Sequence, residues 1–561
     1  MAAEAGETAP VDGADEIKPY KIHVSSKYLD LTTQKLEITR LPHEVSEPAS
    51  KDWWEPKSRV EPLIDFWLEQ YSWRAEEERL NNDIPQFRTA CSIPSFQSTV
   101  RIHFIHARSS HSNAIPLLLI PPFPFSNLSF GNLVKVFTEP EDAVNNQPFH
   151  LVIPSLPGVG FSDALPNNTP VISSTADVFN SLMSRLAYPH YVVSNSGSGA
   201  ASPAEIDFKL VNHLATYHSD SCLGAHLIAP PLTQPNIREA PVEWAKWSVA
   251  SLLRAPILGY RKEDFSALKR SGYVRPTKKT PTPAQFGLNR LGLREPNTLA
   301  YALCDSPTGL LVFVKKSLRL LEPKKEFTPT EIINFTQLAW LPGPEAAMRF
   351  WAHCTRHPEK MEKKVTVKPR IGLTVFLGDK ESTNGEVEAE AGDPSLDEAK
   401  DRYACPGWAK AKYNVVYTSR TTGRSGLLAW ERPEIIVAGV RGIAVSILKT
   451  DSRLRPAATP EVAPLEQVVV HSDTAGEQQS PAPTKPAPTL LAPPNTEDRG
   501  QPHREISEET AVGSNENVTG GTSSLAPKVP SPAHLAPPTD ERSHPHREAS
   551  DDTAVERPSS S

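Results

Sequence analysis

Residues 191–208, YVVSNSGSGAASPAEIDF, place serine hydroxyls where they could attack a substrate. Tyr191, Val192 and Val193 favour a strand. Small residues follow from 194 to 202, and Pro203 with Glu205 favours the start of a helix. Strand, tight small-residue turn and helix is the layout of a nucleophile elbow. There the attacking side chain stands on a strained bend, and its neighbours must be small. Ser196-Gly197-Ser198-Gly199-Ala200 reads small-x-Ser-x-small about Ser198, and the same pattern can be centred on Ser196. A serine hydroxyl is a weak nucleophile without a base, so this chemistry also needs a histidine and an acid. A Gly/Ser loop that merely joins a strand to a helix has the same composition.

The elements that would position such an elbow are legible around it. Residues 115–120 and 149–153 are continuous apolar runs suited to the buried middle of a sheet, and residues 225–229 read as the strand after the elbow helix. Helical stretches between these runs, such as 171–187, point to βαβ units and a parallel sheet. Residues 100–106 alternate as a strand with one wet face. Ahead of it, Leu63, Phe66, Trp67 and Leu68 recur at helical spacing, and a second, charged helical turn runs from Trp73 to Leu80. The aromatics here read as core, not as a binding box. Further upstream, KIHVSS and KLEITR between Tyr20 and Arg40 read as short strands or extended wrapping arms.

Composition excludes several classes. The tail from Arg455 to Ser561 has no Phe, Trp, Tyr or Cys, and is rich in Pro, Ser, Thr and Glu. Such a segment cannot bury enough apolar surface to fold and reads as disordered, as does the polar lead at 1–18. The tail holds 8 Lys/Arg and 16 Asp/Glu, so the remainder of the chain carries 51 against 50 and is nearly neutral. Nothing basic therefore argues for nucleic acid. Five scattered cysteines without a CxxC suggest reduced thiols in an intracellular, cytoplasmic protein. No signal peptide and no apolar run of about 18 residues is seen, so no transmembrane anchor is expected. The tail repeats itself: LAPPNTEDRGQPHREISEETAV from Leu491 is echoed by LAPPTDERSHPHREASDDTAVERP from Leu535. This is either a tandem duplication or a docking motif for a protein partner.

Several ordered motifs carry a resemblance. WRAEEERLNN, PQF, IHFIHARS, AIPLLL and FHLVIPSLPGVGFSD resemble the microsomal and juvenile-hormone type of epoxide hydrolase. The similarity continues through LREPNTLAYALCDSPTGLLVF and FTPTEIINFTQLAWLPG, spanning roughly residues 20–454. It implies an α/β-hydrolase fold with a mostly parallel sheet. An N-terminal wrapping segment would span 19–110, a core 111–232 and 357–454, and a helical cap 233–356. In that cap, Trp244, Trp247, Leu252 and Leu253 would share one face, and Leu299, Leu303, Leu310 and Leu311 would follow. The implied substrate or ligand is a small apolar organic molecule, an epoxide or an ester, with no cofactor.

The family's reaction needs a set of groups that this chain replaces. An elbow Asp attacks the epoxide to form an ester, two cap tyrosines assist the departing oxygen, and an acid-held His activates water. Matching the family's GGDWG onto residues 195–199 puts Gly197 at the nucleophile position. Asp207 would stand about three helical turns away, at roughly 1.5 Å rise per residue too far to serve. The family's HGWPGS becomes residues 121–126, PPFPFS, and two of its prolines lack an NH for an oxyanion. Gly426 falls at the His position, and Leu288 and Trp351 at the tyrosine positions. Asp379 falls at the acid position, with Glu381 as the alternative. What remains is a serine route, with Ser198 or Ser196 as nucleophile, Asp379 as acid, and only His226, His353 or His357 near enough in sequence to stand in as base. The other expectation is an inactive relative that binds a ligand.

Overall fold

The computed structural model describes residues 16–44, 55–93, 98–197, 202–271, 296–319, 324–359, 367–378 and 403–455. Ser198, Leu288, Asp379, Glu381 and the tail with its repeat lie outside the described residues.

Nine strands form one sheet: β1 (Lys18–Pro19), β2 (Gln86–Ile93), β3 (Ser98–Ala107), β4 (Ile115–Ile120), β5 (Phe149–Pro154), β6 (Tyr191–Asn195), β7 (Cys222–Ile228), β8 (Arg370–Phe376) and β9 (Asn414–Thr421). Their order is β1-β2-β3-β5-β4-β6-β7-β8-β9. β1, β2 and β3 pair antiparallel and join β5 antiparallel; every pair from β5 through β9 is parallel. The apolar runs are continuous because both faces are covered. Leu118 and Ile120 enter one core with α5 (Val171–Arg185) and α6 (Ile206–Tyr217), whereas Leu117 and Leu119 enter another with α4 (Leu133–Thr138) and the C-terminal helix Pro433–Leu448. Side chains that alternate at period two thus serve two apolar layers.

The N-terminal segment differs from the sequence expectation in three places. The expected lead at 1–18 ends early, since Lys18 and Pro19 pair with Arg88 and Phe87. KLEITR is not a strand: residues 35–37 close α1 (Ser26–Glu37), whose Thr32 and Leu36 are buried four residues apart. The face of β3 expected to be wet stays open at Arg101 but is covered at its histidines. His103 is fully buried, with Tyr20 and Phe161 against its ring, and His106 packs on Phe87 and Tyr188. Polar rings suggested solvent, but Nε2 of each finds a partner inside, Gln86 for His103 and the Tyr188 hydroxyl for His106, whereas His103 Nδ1 has none among the described residues.

α2 (Lys57–Glu69) buries Val60, Leu63, Ile64 and Trp67, and packs them with Leu311 and Ile333 of the helical layer between β7 and β8. α3 (Trp73–Asp83) starts at Ser72, whose side chain accepts from the Ala75 NH. The helical layer comprises α7 (Pro241–Leu253), α8 (Lys262–Arg270), α9 (Pro296–Asp305), α10 (Pro307–Arg319), α11 (Pro329–Trp340) and α12 (Glu345–Arg356). α11 opens on a capping box, Thr328 with Glu331. The shared face expected for α7 is not buried: Leu252 and Leu253 are 84% and 62% exposed, while Trp247 packs on Tyr260, Phe265 and Trp408. Asp264 of α8 ties this layer to the sheet. Its carboxylate takes both ends of the Arg420 guanidinium at 2.8 and 3.0 Å, the Tyr403 hydroxyl and the Arg261 NH. No described helix is long and apolar enough to cross a membrane.

Candidate functional site

β6 ends at Asn195, and the bend that follows carries Ser196 and Gly197. Gly197 is packed from above. A Cβ built on it would meet Pro122 Cβ at 2.7 Å and Cγ at 3.1 Å. Pro122 belongs to the 121–126 segment, where the matched family motif has glycine. A Pro122 ring thus fills the space that a side chain at residue 197 would need.

Asp207 overturns a sequence expectation. The chain does not leave the elbow as a straight helix. Ala204 and Glu205 adopt left-handed backbone angles, φ 52° and 56°, and α6 starts only at Ile206. This double reversal turns the first turn of α6 back on the elbow. Asp207 Oδ2 lies 3.4 Å from Asn195 Nδ2 and 3.8 Å from the Cβ position on Gly197. Oδ1 has no hydrogen-bond partner among the described residues, and burial pushes the carboxyl pKa up. No residue type announced two consecutive non-glycine residues in the left-handed region, so helical rise was the wrong ruler. Asn195 braces the same corner. Its amide donates to the Gly197 carbonyl at 2.7 Å, and its oxygen accepts the Ile228 NH at 2.9 Å.

Ser196, the described nucleophile candidate at the bend, is committed elsewhere. Ser196 Oγ donates to the Ile120 carbonyl at 2.9 Å and is buried. None of the three candidate bases reaches it. His226 lies inside the sheet, with Nδ1 2.9 Å from Ser194 Oγ and Nε2 2.9 Å from Thr374 Oγ1. Because Ser194 Oγ donates to the Asn195 carbonyl, Nδ1–H of His226 donates and Nε2 accepts, so the ring is neutral. Burial lowers its pKa to about 3. His353 and His357 stack on each other on α12 and just beyond it, ring centroids 4.8 Å apart.

After β9 the chain turns at Gly423 and Gly426, and Ser425 is buried. Residues 428–431 then place Trp430 in an aromatic cluster with Phe125, Phe130, Phe327 and Phe335. The turn at Gly426 thus leads into hydrophobic packing. Trp351, at a tyrosine position, is buried against Phe123, ring centroids 6.1 Å apart.

Between this end of the sheet and the helical layer lies a cavity of about 60 Å³. Phe123, Pro124, Phe313, Leu338, Met348 and Trp351 are among its apolar walls, and Ser126 and Ser317 are its hydroxyl-bearing ones. Pockets for small molecules run to about 300–1,000 Å³, so a full-sized occupant must displace lining side chains. Met348, unbranched and polarizable, is suited to that.

Residues 17–130 match the family model described as the epoxide hydrolase N terminus. The chain is 26% identical over 306 residues to juvenile hormone epoxide hydrolase 1 of Ctenocephalides felis, covering 53% of this chain and 59% of that protein, less than two thirds of its length. It is 23% identical over 456 residues to epoxide hydrolase 1 of Sus scrofa, covering 77% and 89%. Along most of its described length the chain is similar to epoxide hydrolases. Its fold is the α/β-hydrolase fold. The juvenile hormone epoxide hydrolase of Bombyx mori superposes with a TM-score of 0.57 at 21% identity, covering 78% of this chain and 95% of that one. The Aspergillus niger epoxide hydrolase gives 0.56 at 20%, covering 78% and 98%.

Proposed function

We propose that this member of the epoxide hydrolase family uses the cavity beneath its helical layer to bind a small apolar molecule, and does not open epoxides through an ester at residue 197. The observation that carries this reading is the packing of Pro122 on Gly197. A carboxylate-bearing side chain is absent at the bend, and its first carbon would collide with the ring opposite. The loss of histidine at Gly426 and of phenol at Trp351 supports the same reading. An ester formed without a base to hydrolyse it would be a dead end.

A second reading is favoured by one observation, the Asp207 carboxyl beside the elbow. Ionised, it could attack an epoxide carbon, break the C–O bond and form an ester on the first turn of α6 rather than on the bend. A serine route through Ser198 with Asp379 is the third course, and the same experiment addresses it.

The test is incubation with a panel of aliphatic and aryl epoxides and activated esters, followed by peptide mass spectrometry and by titration of tryptophan emission. Saturable quenching, weakened by Trp351→Phe, with no adduct and no turnover is the expected result. An adduct on Asp207, or turnover abolished by Asp207→Asn, would establish the second reading. An adduct on Ser198 or Ser196 would establish the third.

A further inference from the structure

We propose that Asp177, His213 and His218 form a binding site for a divalent transition-metal ion of the zinc class. Asp177 lies midway along α5, His213 lies on α6, and His218 caps the C-terminus of α6. All three are half-buried. One donor atom from each lies within 4.8 Å of the other two.

A hydrogen bond explains only part of this cluster. His218 Nε2 lies 3.0 Å from Asp177 Oδ1. The His213 ring packs at a tilt against Tyr217, centroids 4.5 Å apart, and stands 6.2 Å from the His218 ring. Among the described residues its nitrogens make no protein hydrogen bond. A second imidazole thus shares the recess of an already paired His and Asp.

The geometry suits a small ion. Three donors no more than 4.8 Å apart leave a point within roughly 2.8 Å of each, and rotamer shifts of about 0.7 Å would bring them to the ~2.0–2.2 Å of zinc bonds. Two imidazoles and one carboxylate select zinc, cobalt, nickel or copper over magnesium and calcium, which take oxygen ligands. Two of the ligands come from packed helices and the third from the C-cap of one of them, so little ordering is needed on binding. Three protein ligands leave a fourth position for water. Glu359 binds the Ile172 and Ser173 NH groups at the start of α5, with Ser173 one helical turn before Asp177. A bound ion would therefore clamp α6, which follows the elbow, onto an α5 already pinned by Glu359. None of the three residues lines the cavity described above.

The test uses the full chain, stripped of metal with a chelator, titrated with Zn²⁺ by calorimetry and with Co²⁺ by visible absorption. One saturable Zn²⁺ site with a Kd below ~100 μM is expected, together with a rise in melting temperature on adding Zn²⁺. His213→Ala and His218→Gln should each raise Kd at least ~10-fold, and His357→Ala, as a control, should leave it unchanged. His218→Gln can keep a hydrogen bond to Asp177, so a folded variant with lost binding separates ligation from packing; circular dichroism checks the fold. The proposal is overturned if no saturable binding appears below ~1 mM Zn²⁺, or if the His213→Ala/His218→Gln double variant still binds with the parent Kd.

Discussion

Gly197 and Pro122 fit together as a glycine beneath a ring: the Cβ that Gly197 lacks would stand 2.7 Å from Pro122 Cβ. In the matched family motifs the pairing is reversed, with the acid on the elbow and the glycine on the facing turn. Gly197→Asp alone should therefore destabilise the protein by about 1–3 kcal/mol through overpacking. Pro122→Gly should relieve that clash. A double-mutant cycle by urea unfolding should return a coupling energy of about 1 kcal/mol or more between the two sites. Additive effects would mean that the turn yields easily and that the packing argument is wrong. Even the folded double variant should fail to turn over epoxides, because Gly426 and Trp351 still replace the base and a phenol.

Asp207 gives a prediction of defined sign. Its carboxyl pKa is raised by burial, so the neutral form is the one the fold prefers. Its stabilising contribution is complete below the unfolded value of about 3.9 and is lost as pH rises through the raised folded value. Asp207→Asn should remove that loss. The stability of the variant relative to the parent should climb with pH across this window, by up to about 1.4 kcal/mol per pH unit, and then level off. Chemical denaturation at a series of pH values reads this directly. A variant that loses stability as pH rises, relative to the parent, would mean that Asp207 is held as a carboxylate.

Asp207 and the strands around it show what sequence carries here and what it does not. The strands were legible because an apolar run buried on both faces has a composition of its own, as residues 115–120 show. Asp207 was not, because its place depends on Ala204 and Glu205, whose left-handed angles no residue type signals. The packing of Pro122 on Gly197 was equally hidden: residues 122 and 197 are far apart in the chain and meet only when β4 lies beside β6. His103 reads as a solvent-facing residue of an alternating strand until Tyr20 and Phe161 close over it. Local pattern supplies elements, whereas the site depends on how loops return.

Three buried histidines set the acid limit of the fold. Burial lowers the pKa of His103 to about 3, of His226 to about 3 and of His106 to about 4. Each binds a proton more readily in the unfolded chain, with its ordinary value near 6.5, than in the folded one. Their contribution is therefore complete above about pH 6.5 and is lost as pH falls toward the folded values, at about 1.4 kcal/mol per pH unit for each histidine. His226→Gln should unfold more easily than the parent at pH 7, since Gly439 packs against the ring. Its stability should nevertheless fall less steeply between pH 6.5 and 4, by about that same slope. Equal slopes in parent and variant would show that His226 is not kept neutral by the fold.

The Asp264–Arg420 pair should act as the fastener between α8 and the far edge of the sheet. Both side chains are almost fully out of solvent, and the carboxylate is saturated by Arg420, Tyr403 and the Arg261 NH. Removing one partner leaves the other charge buried and unpaired, which costs about 3–5 kcal/mol. Arg420→Ala should therefore lose close to that amount. Replacing both residues by apolar ones of similar volume, Asp264→Leu with Arg420→Met, should recover most of it. The readouts are urea unfolding and limited proteolysis, which should cut first within residues 241–270 in the single variant. A single variant within about 1 kcal/mol of the parent would mean that water reaches the pair, and that Trp247, Tyr260 and Trp408 alone hold this part of the helical layer in place.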